Sequence, residues 1–94
     1  MVFVTSYTFP KELDGAKVLY YTDRAVFEPV YHSGGAIAHN VSYLAICKYE
    51  NDEAYYIFHC DESLDVVADD CFHSLEVCKR YTEKNDLVWH KQKE

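Results

Sequence analysis

Two histidines and two cysteines fall within fifteen residues, as His59-Cys60 and Cys71-x-His73, and they are the first candidates for chemistry. Zinc accepts both ligand types. Structural zinc sites, however, pair cysteines roughly two to four residues apart and histidines roughly three to five apart. Neither spacing occurs here. If His59 and Cys60 lie on a strand, they point to opposite faces and cannot share one ion. A cysteine–histidine nucleophile is the second possibility. A reactive thiolate needs an electropositive setting, whereas the residues around Cys60 and Cys71 are acidic, and no glycine-rich loop beside them offers an oxyanion hole. Asp61-x-Ser63-x-Asp65 is spaced like the start of a calcium loop. That loop needs Gly at its sixth position and Glu at its twelfth, where this chain has Val66 and Phe72. Ser33-Gly34-Gly35 lacks the lysine of a phosphate loop. The reading is a protein that is not an enzyme and holds no metal or cofactor.

The chain has 94 residues, one domain's length (1–94), with 49% hydrophobic and 16% aromatic residues to build a core. Its net charge of −7 argues against nucleic acid or an anionic membrane as partner, because both demand Lys and Arg. It suits solubility and attraction to a basic surface. No apolar run is long enough to span a bilayer. Met1 to Ser6 carries no basic residue, and Pro10-Lys11-Glu12 follows, which is unlike a secretory signal. The expected compartment is the cytoplasm, and Cys47, Cys60, Cys71 and Cys78 are expected to be free thiols.

The elements that must position these residues are clearest in the second half. Ser42 to Tyr49 and Tyr55 to Cys60 read as a β-hairpin around Glu50-Asn51-Asp52-Glu53. With Glu50 facing Glu53, Cys47 faces Tyr56 and Tyr43 faces Cys60. Tyr43, Ala45, Cys47, Tyr56, Phe58 and Cys60 then share an apolar face that belongs on the core. The other face, with Leu44, Ile46, Tyr55 and Ile57, is apolar enough to be covered too. In this register Cys47 and Cys60 are displaced along the strands beyond the ~7 Å Cα separation that a disulfide bridges. Asp61-Glu62-Ser63 is a second turn, followed by a short strand, Leu64 to Ala68. Ser74 caps a helix over Leu75 to Lys84 that Asn85 stops, with Leu75, Val77, Cys78 and Tyr81 as its apolar side. Leu87 to His90 is a last strand. Earlier strand candidates are Val2 to Thr8, Lys17 to Tyr21 and Ala25 to Tyr31, with a turn over Pro10 to Gly15. Pro29 confines the last of these to an edge or bulge. The expected fold is α+β: an antiparallel β-meander sheet with one helix, from the C-terminal half, packed on one face.

Charge is sharply segregated. From Tyr49 to Cys78 there is no Lys or Arg, while the same thirty residues hold nine acids. Like charges that cluster repel one another, so the clustering carries a stability cost. A patch of Glu50, Asp52, Glu53, Asp61, Glu62, Asp65, Asp69 and Asp70 would suit a basic cleft, with Tyr55, Tyr49 and Phe72 as apolar anchors. Because Asp61, Glu62 and Asp65 fall in a turn, reversing them to Lys is expected to spare the fold.

The stretch from Val41 to Ser63, with the Ser74-capped helix after it, resembles small acidic bacterial immunity proteins, which bind and block a cognate toxin, often a nuclease. The likeness extends to Trp89. The same strand–strand–helix order also resembles antitoxins that carry an added DNA-binding segment. The resemblance implies a cognate toxin protein with a basic surface as partner, met by the acidic residues named above. The alternative is a small regulatory or accessory domain that binds a small molecule or assembles as a homo-oligomer through its aromatic sheet.

Overall fold

The computed structural model describes residues 9–83 and 87–93, with the backbone alone for 81–83. The expected strand over Val2 to Thr8 and the helix stop at Asn85 lie outside the described residues. In chain order the elements are β1 (Glu12–Leu13), β2 (Ala16–Tyr21), β3 (Val30–Tyr31), β4 (Ile37–His39), β5 (Tyr43–Lys48), β6 (Tyr55–Cys60), β7 (Val66–Phe72), α1 (Leu75–Glu83) and β8 (His90–Lys91). The main sheet runs β1-β2-β5-β6-β7, with β8 pairing the far end of β2. Every pairing in it is antiparallel. The architecture is therefore α+β, a meander sheet with one helix from the C-terminal half.

The β5–β6 register is the one the sequence implies, with Tyr43 opposite Cys60 and Cys47 opposite Tyr56. β5 is buried from Tyr43 to Cys47, because both faces of the sheet are covered. On one face Val18, Ala45, Cys47, Phe58 and Cys60 form a core with Phe9, and Leu64 and the tyrosines 21, 49 and 56 pack around it. Phe9 stacks on Tyr21 with ring centroids 4.6 Å apart, and Gln92 Nε2 ties this segment down by donating to the carbonyl of Pro10 at 2.9 Å. On the other face Leu44, Ile46 and Ile57 meet Cys78 of α1, joined by Leu75, Leu87 and Trp89. Ser74 Oγ accepts from the Val77 N–H at 3.1 Å, a helix cap worth about 1 kcal/mol. Val77 itself is 36% exposed, so among the described side chains the apolar side of the helix is carried by Leu75 and Cys78, and the expected Tyr81 side chain lies outside them.

Several boundaries differ from expectation for local reasons. The Pro10–Gly15 turn contracts to Asp14-Gly15, both at positive φ (48° and 81°), the mirror-image turn that matches strand twist. β7 starts at Val66, two residues late, because Leu64 has φ 66° and belongs to the turn. It then continues through Asp69-Asp70-Cys71 to Phe72, since an edge strand tolerates polar residues that a central strand would not. The strand proposed over Ala25 to Tyr31 shrinks to its last two residues, with Pro29 just before them. What precedes is a looser ribbon. The N–H groups of Thr22, Ala25 and Phe27 donate to the carbonyls of Leu44, Ser42 and Val41 at 3.0–3.2 Å. The β2–β5 hairpin thus outruns β6, whose last residue, Cys60, accepts from the Ser42 N–H. Past that point it continues as a two-stranded arm, β3–β4.

Candidate functional site: an acidic sheet edge

Among the described residues, β7 forms one edge of the sheet. Its seven residues span about 20 Å. The turn Asp61–Asp65 feeds its start, and the tip of the β5–β6 hairpin lies beside its end, where Tyr55 pairs with Phe72. All but Glu50 of the acidic residues singled out from the sequence therefore follow one border of the sheet: Asp61, Glu62 and Asp65 at one corner, Asp69 and Asp70 along the strand, Asp52 and Glu53 at the other corner. Glu50 lies across the hairpin tip, where it lines a cleft with Glu12, Lys17 and Lys48. At that second corner Asp52, Glu53, Ala54, Cys71, Phe72 and His73 line an open cleft of about 340 Å³.

These carboxylates are not equivalent. Asp52 holds the hairpin tip together: its Oδ1 accepts from the Ala54 N–H at 2.9 Å and its Oδ2 from the Tyr56 hydroxyl at 2.8 Å. The Ala54 N–H, then the Tyr56 hydroxyl, hold the Asp52 pKa below its ordinary value. The same hydrogen bond, reinforced by burial and by the charge of Asp52, pushes the Tyr56 hydroxyl up. Asp61 Oδ1 accepts from the N–H groups of both Ser63 and Asp65, at 2.9 and 3.0 Å. Asp70 Oδ2 lies 2.9 Å from His59 Nε2 on the helix face. Glu62 meets Arg24 Nη2 at 2.7 Å, an ion pair with both side chains more than half exposed and hence of small energetic value. Glu50, Glu53, Asp65 and Asp69 make no side-chain hydrogen bond or ion pair among the described residues, and all four are exposed.

This sorting corrects the expectation that the turn acids can be reversed freely. Asp61 satisfies two backbone donors, so replacing it by Lys removes two hydrogen bonds. The proposed apolar anchors change character too. Tyr55 and Phe72 are half-buried against the helix-side core, and Tyr49 against the opposite one. Lys48 Nζ stands 6.0 Å from the Tyr55 ring centroid. These rings contribute to packing first.

The cysteines are free thiols: Cys47, Cys60 and Cys78 buried, Cys71 exposed. Burial pushes the Cys47 thiol up; burial and then Asp61 raise Cys60 to about 12; burial raises Cys78 to about 11. All three stay protonated near neutrality and are poor nucleophiles. His59 turns to Asp70 while Cys60 lies in the opposite core, so the adjacent pair diverges. Among the described residues no three His, Cys, Asp or Glu side chains gather as metal ligands, and no helix is long and apolar enough to cross a membrane.

Comparison with family models, with curated proteins and with solved structures returns no match.

Proposed function

We propose that this chain is an immunity-type inhibitor that binds and neutralises a cognate bacterial toxin, of nuclease type, through its acidic edge. The observation that carries the reading is the alignment of acids along one border of the sheet, in a stretch of thirty residues without Lys or Arg. Nuclease clefts are basic because they hold phosphates. A row of carboxylates on a rigid strand offers such a cleft the same charge in a similar linear array. Steering by that field speeds association and makes it dependent on salt. The carboxylates free to do this are Glu53, Asp65 and Asp69, whereas Asp52, Asp61 and Asp70 hold the frame and Glu50 lies across the hairpin tip beside Lys17 and Lys48.

The test uses the product of a toxin gene adjacent to the gene for this chain. Association is timed at low and physiological salt for the parent and for Glu53→Lys/Asp65→Lys/Asp69→Lys. Slower association with a flattened salt dependence, in a variant with unchanged melting temperature, supports the reading. Equal rates and equal inhibition overturn it, as does a neighbouring gene product that the parent fails to bind.

A further inference from the structure

The β3–β4 arm is another open border among the described residues, and its composition is the reverse of β7. Residues 25–47 contain a single formal charge, Glu28, in a chain that is 27% charged. Within this stretch, the arm is exposed over most of residues 28–40. Three large apolar side chains stand out on it and at its root: Val26 at 99%, Tyr31 at 50% and Ile37 at 54% exposure. Val30 packs against the helix-side core, but the outer end of the ribbon extends beyond it, and a two-stranded ribbon is marginal on its own in water. An open strand edge with few charges is also the kind that pairs with another chain, and proteins blunt edges that must stay single. β7 is blunted in that way by Asp65, Asp69 and Asp70. In the arm Glu28, Pro29 and the register shift at Val30/Tyr31 do so only at the root side, and from Tyr31 to His39 the edge bears no formal charge.

The arm is self-complementary as well. Its outer end carries Tyr31 and Ile37, around a turn in which His32 N–H bonds Ala36 O and Gly35 N–H bonds His32 O. Its root carries an open cleft of about 390 Å³, lined by Val26, Phe27 and Val41 together with Arg24, Asn40 and Ser42. Two arms laid antiparallel place the outer end of each against the root of the other, the isologous arrangement in which one patch meets itself across a two-fold axis. A net charge of −7 per chain makes copies repel wherever their acidic borders approach. The arm, whose one formal charge is Glu28, is the border at which they meet with the least such cost.

The geometry points to the β3–β4 arm as a self-association surface, through which two copies of this chain pair antiparallel with Ile37 and Tyr31 of each seated in the root cleft of the other. The contact is small beside a standard interface of about 1,600 Å², so the dimer forms reversibly, and β7 of each copy faces outward. This does not depend on the toxin reading.

Sedimentation equilibrium on the whole chain alone, with reductant, from micromolar to millimolar concentration tests it. The parent is expected to move from one to two chains with rising concentration. Ile37→Lys and Val26→Lys, both at exposed positions, are each expected to weaken the dimer by about tenfold or more, as loss of an interface anchor does, with unchanged circular dichroism. Asp69→Lys, on the other border, is expected to leave the dimer as it is. Amide exchange on the parent should show Ile37 to His39 slowing as concentration rises. A parent that stays at one chain throughout overturns the proposal. So does a dimer that persists undiminished in both arm variants, or an assembly that grows beyond two chains.

Discussion

The β7 border and the β3–β4 arm are both open edges on one sheet system, yet they are built oppositely. β7 lies along the main core, with Phe58 behind Asp69 and Ile57 behind Asp70 in the ladder, and it is lined with carboxylates. The arm meets the helix-side core near its root, through Phe27 and Val30, while its outer end carries no formal charge. The two edges share one turn design. In the arm, His32 bonds both Gly35 N–H and Ala36 O. At the start of β7, Asp61 makes the same two backbone bonds with Leu64 and Asp65. The left-handed position is Gly35 at φ 92° in one and Leu64 at φ 66° in the other. A leucine there costs about 1–2 kcal/mol, and it survives because Leu64 packs on the core. Nothing in the arm offers such compensation: a Cβ at Gly35 would meet no atom within 4 Å. A turn backed by a core can hold strain and repulsion, while a turn without such packing needs relaxed geometry.

The sharpest way to break the comparison is to remove the core from behind β7. Phe58→Ala is expected to lower global stability by about 3–5 kcal/mol, whereas Ile37→Ala on the arm should change it by no more than about 0.5 kcal/mol. Urea unfolding of the two variants checks the contrast. Next comes the junction where the arm departs. Thr22 is buried, and its hydroxyl accepts the Leu44 N–H at 3.0 Å. Thr22→Val keeps the shape and orphans that donor, for a loss of about 1–3 kcal/mol; arm amides should exchange faster as well. Exchanging the turn residues sharpens the comparison further. Gly35→Leu should loosen the arm by about 1–2 kcal/mol, seen in local amide exchange. Leu64→Gly should shift the melting transition little, because relief of strain and loss of packing oppose each other.

The smallest expected effect is in the pH response of the hairpin tip beside β7. The folded Asp52 pKa lies below its ordinary value of 3.8. Its contribution to stability is therefore fully present above that value and is lost as pH falls through the lower folded pKa. Tyr56 is raised above its ordinary 10.0, so its contribution is present below pH 10.0 and is lost as pH climbs through the higher folded value. Tyr56→Phe should bring the Asp52 pKa back toward 3.8, read from carboxyl NMR shifts, without moving arm resonances. A displaced arm would mean that the two edges are coupled rather than independent.

Alternation and capping chemistry alone determined much of this molecule. The two apolar runs around Glu50–Glu53 allow one register that keeps both faces consistent, so the pairing of Tyr43 with Cys60 was legible before any fold was known. Ser74 announced the helix, and the absence of Lys and Arg from Tyr49 to Cys78 announced a charged border. Tertiary structure decided the rest, because it depends on contacts between residues far apart in the chain. Whether Asp69 and Asp70 end a strand or line an edge turns on what lies beside them, and aspartate's poor strand propensity pointed the wrong way. Ala25 to Tyr31 reads locally as a strand that Pro29 confines to an edge or bulge, whereas its ladder pairs residues 22–31 with 37–44, a relation that local propensity does not carry. The division of the acids was equally hidden. Asp52 and Asp61 bind backbone donors, Asp70 binds a histidine and Glu62 an arginine, while Asp65 and Asp69 face solvent. Composition makes all of them one patch, and only the three-dimensional positions of the donors separate those that hold the fold from those free to meet a partner.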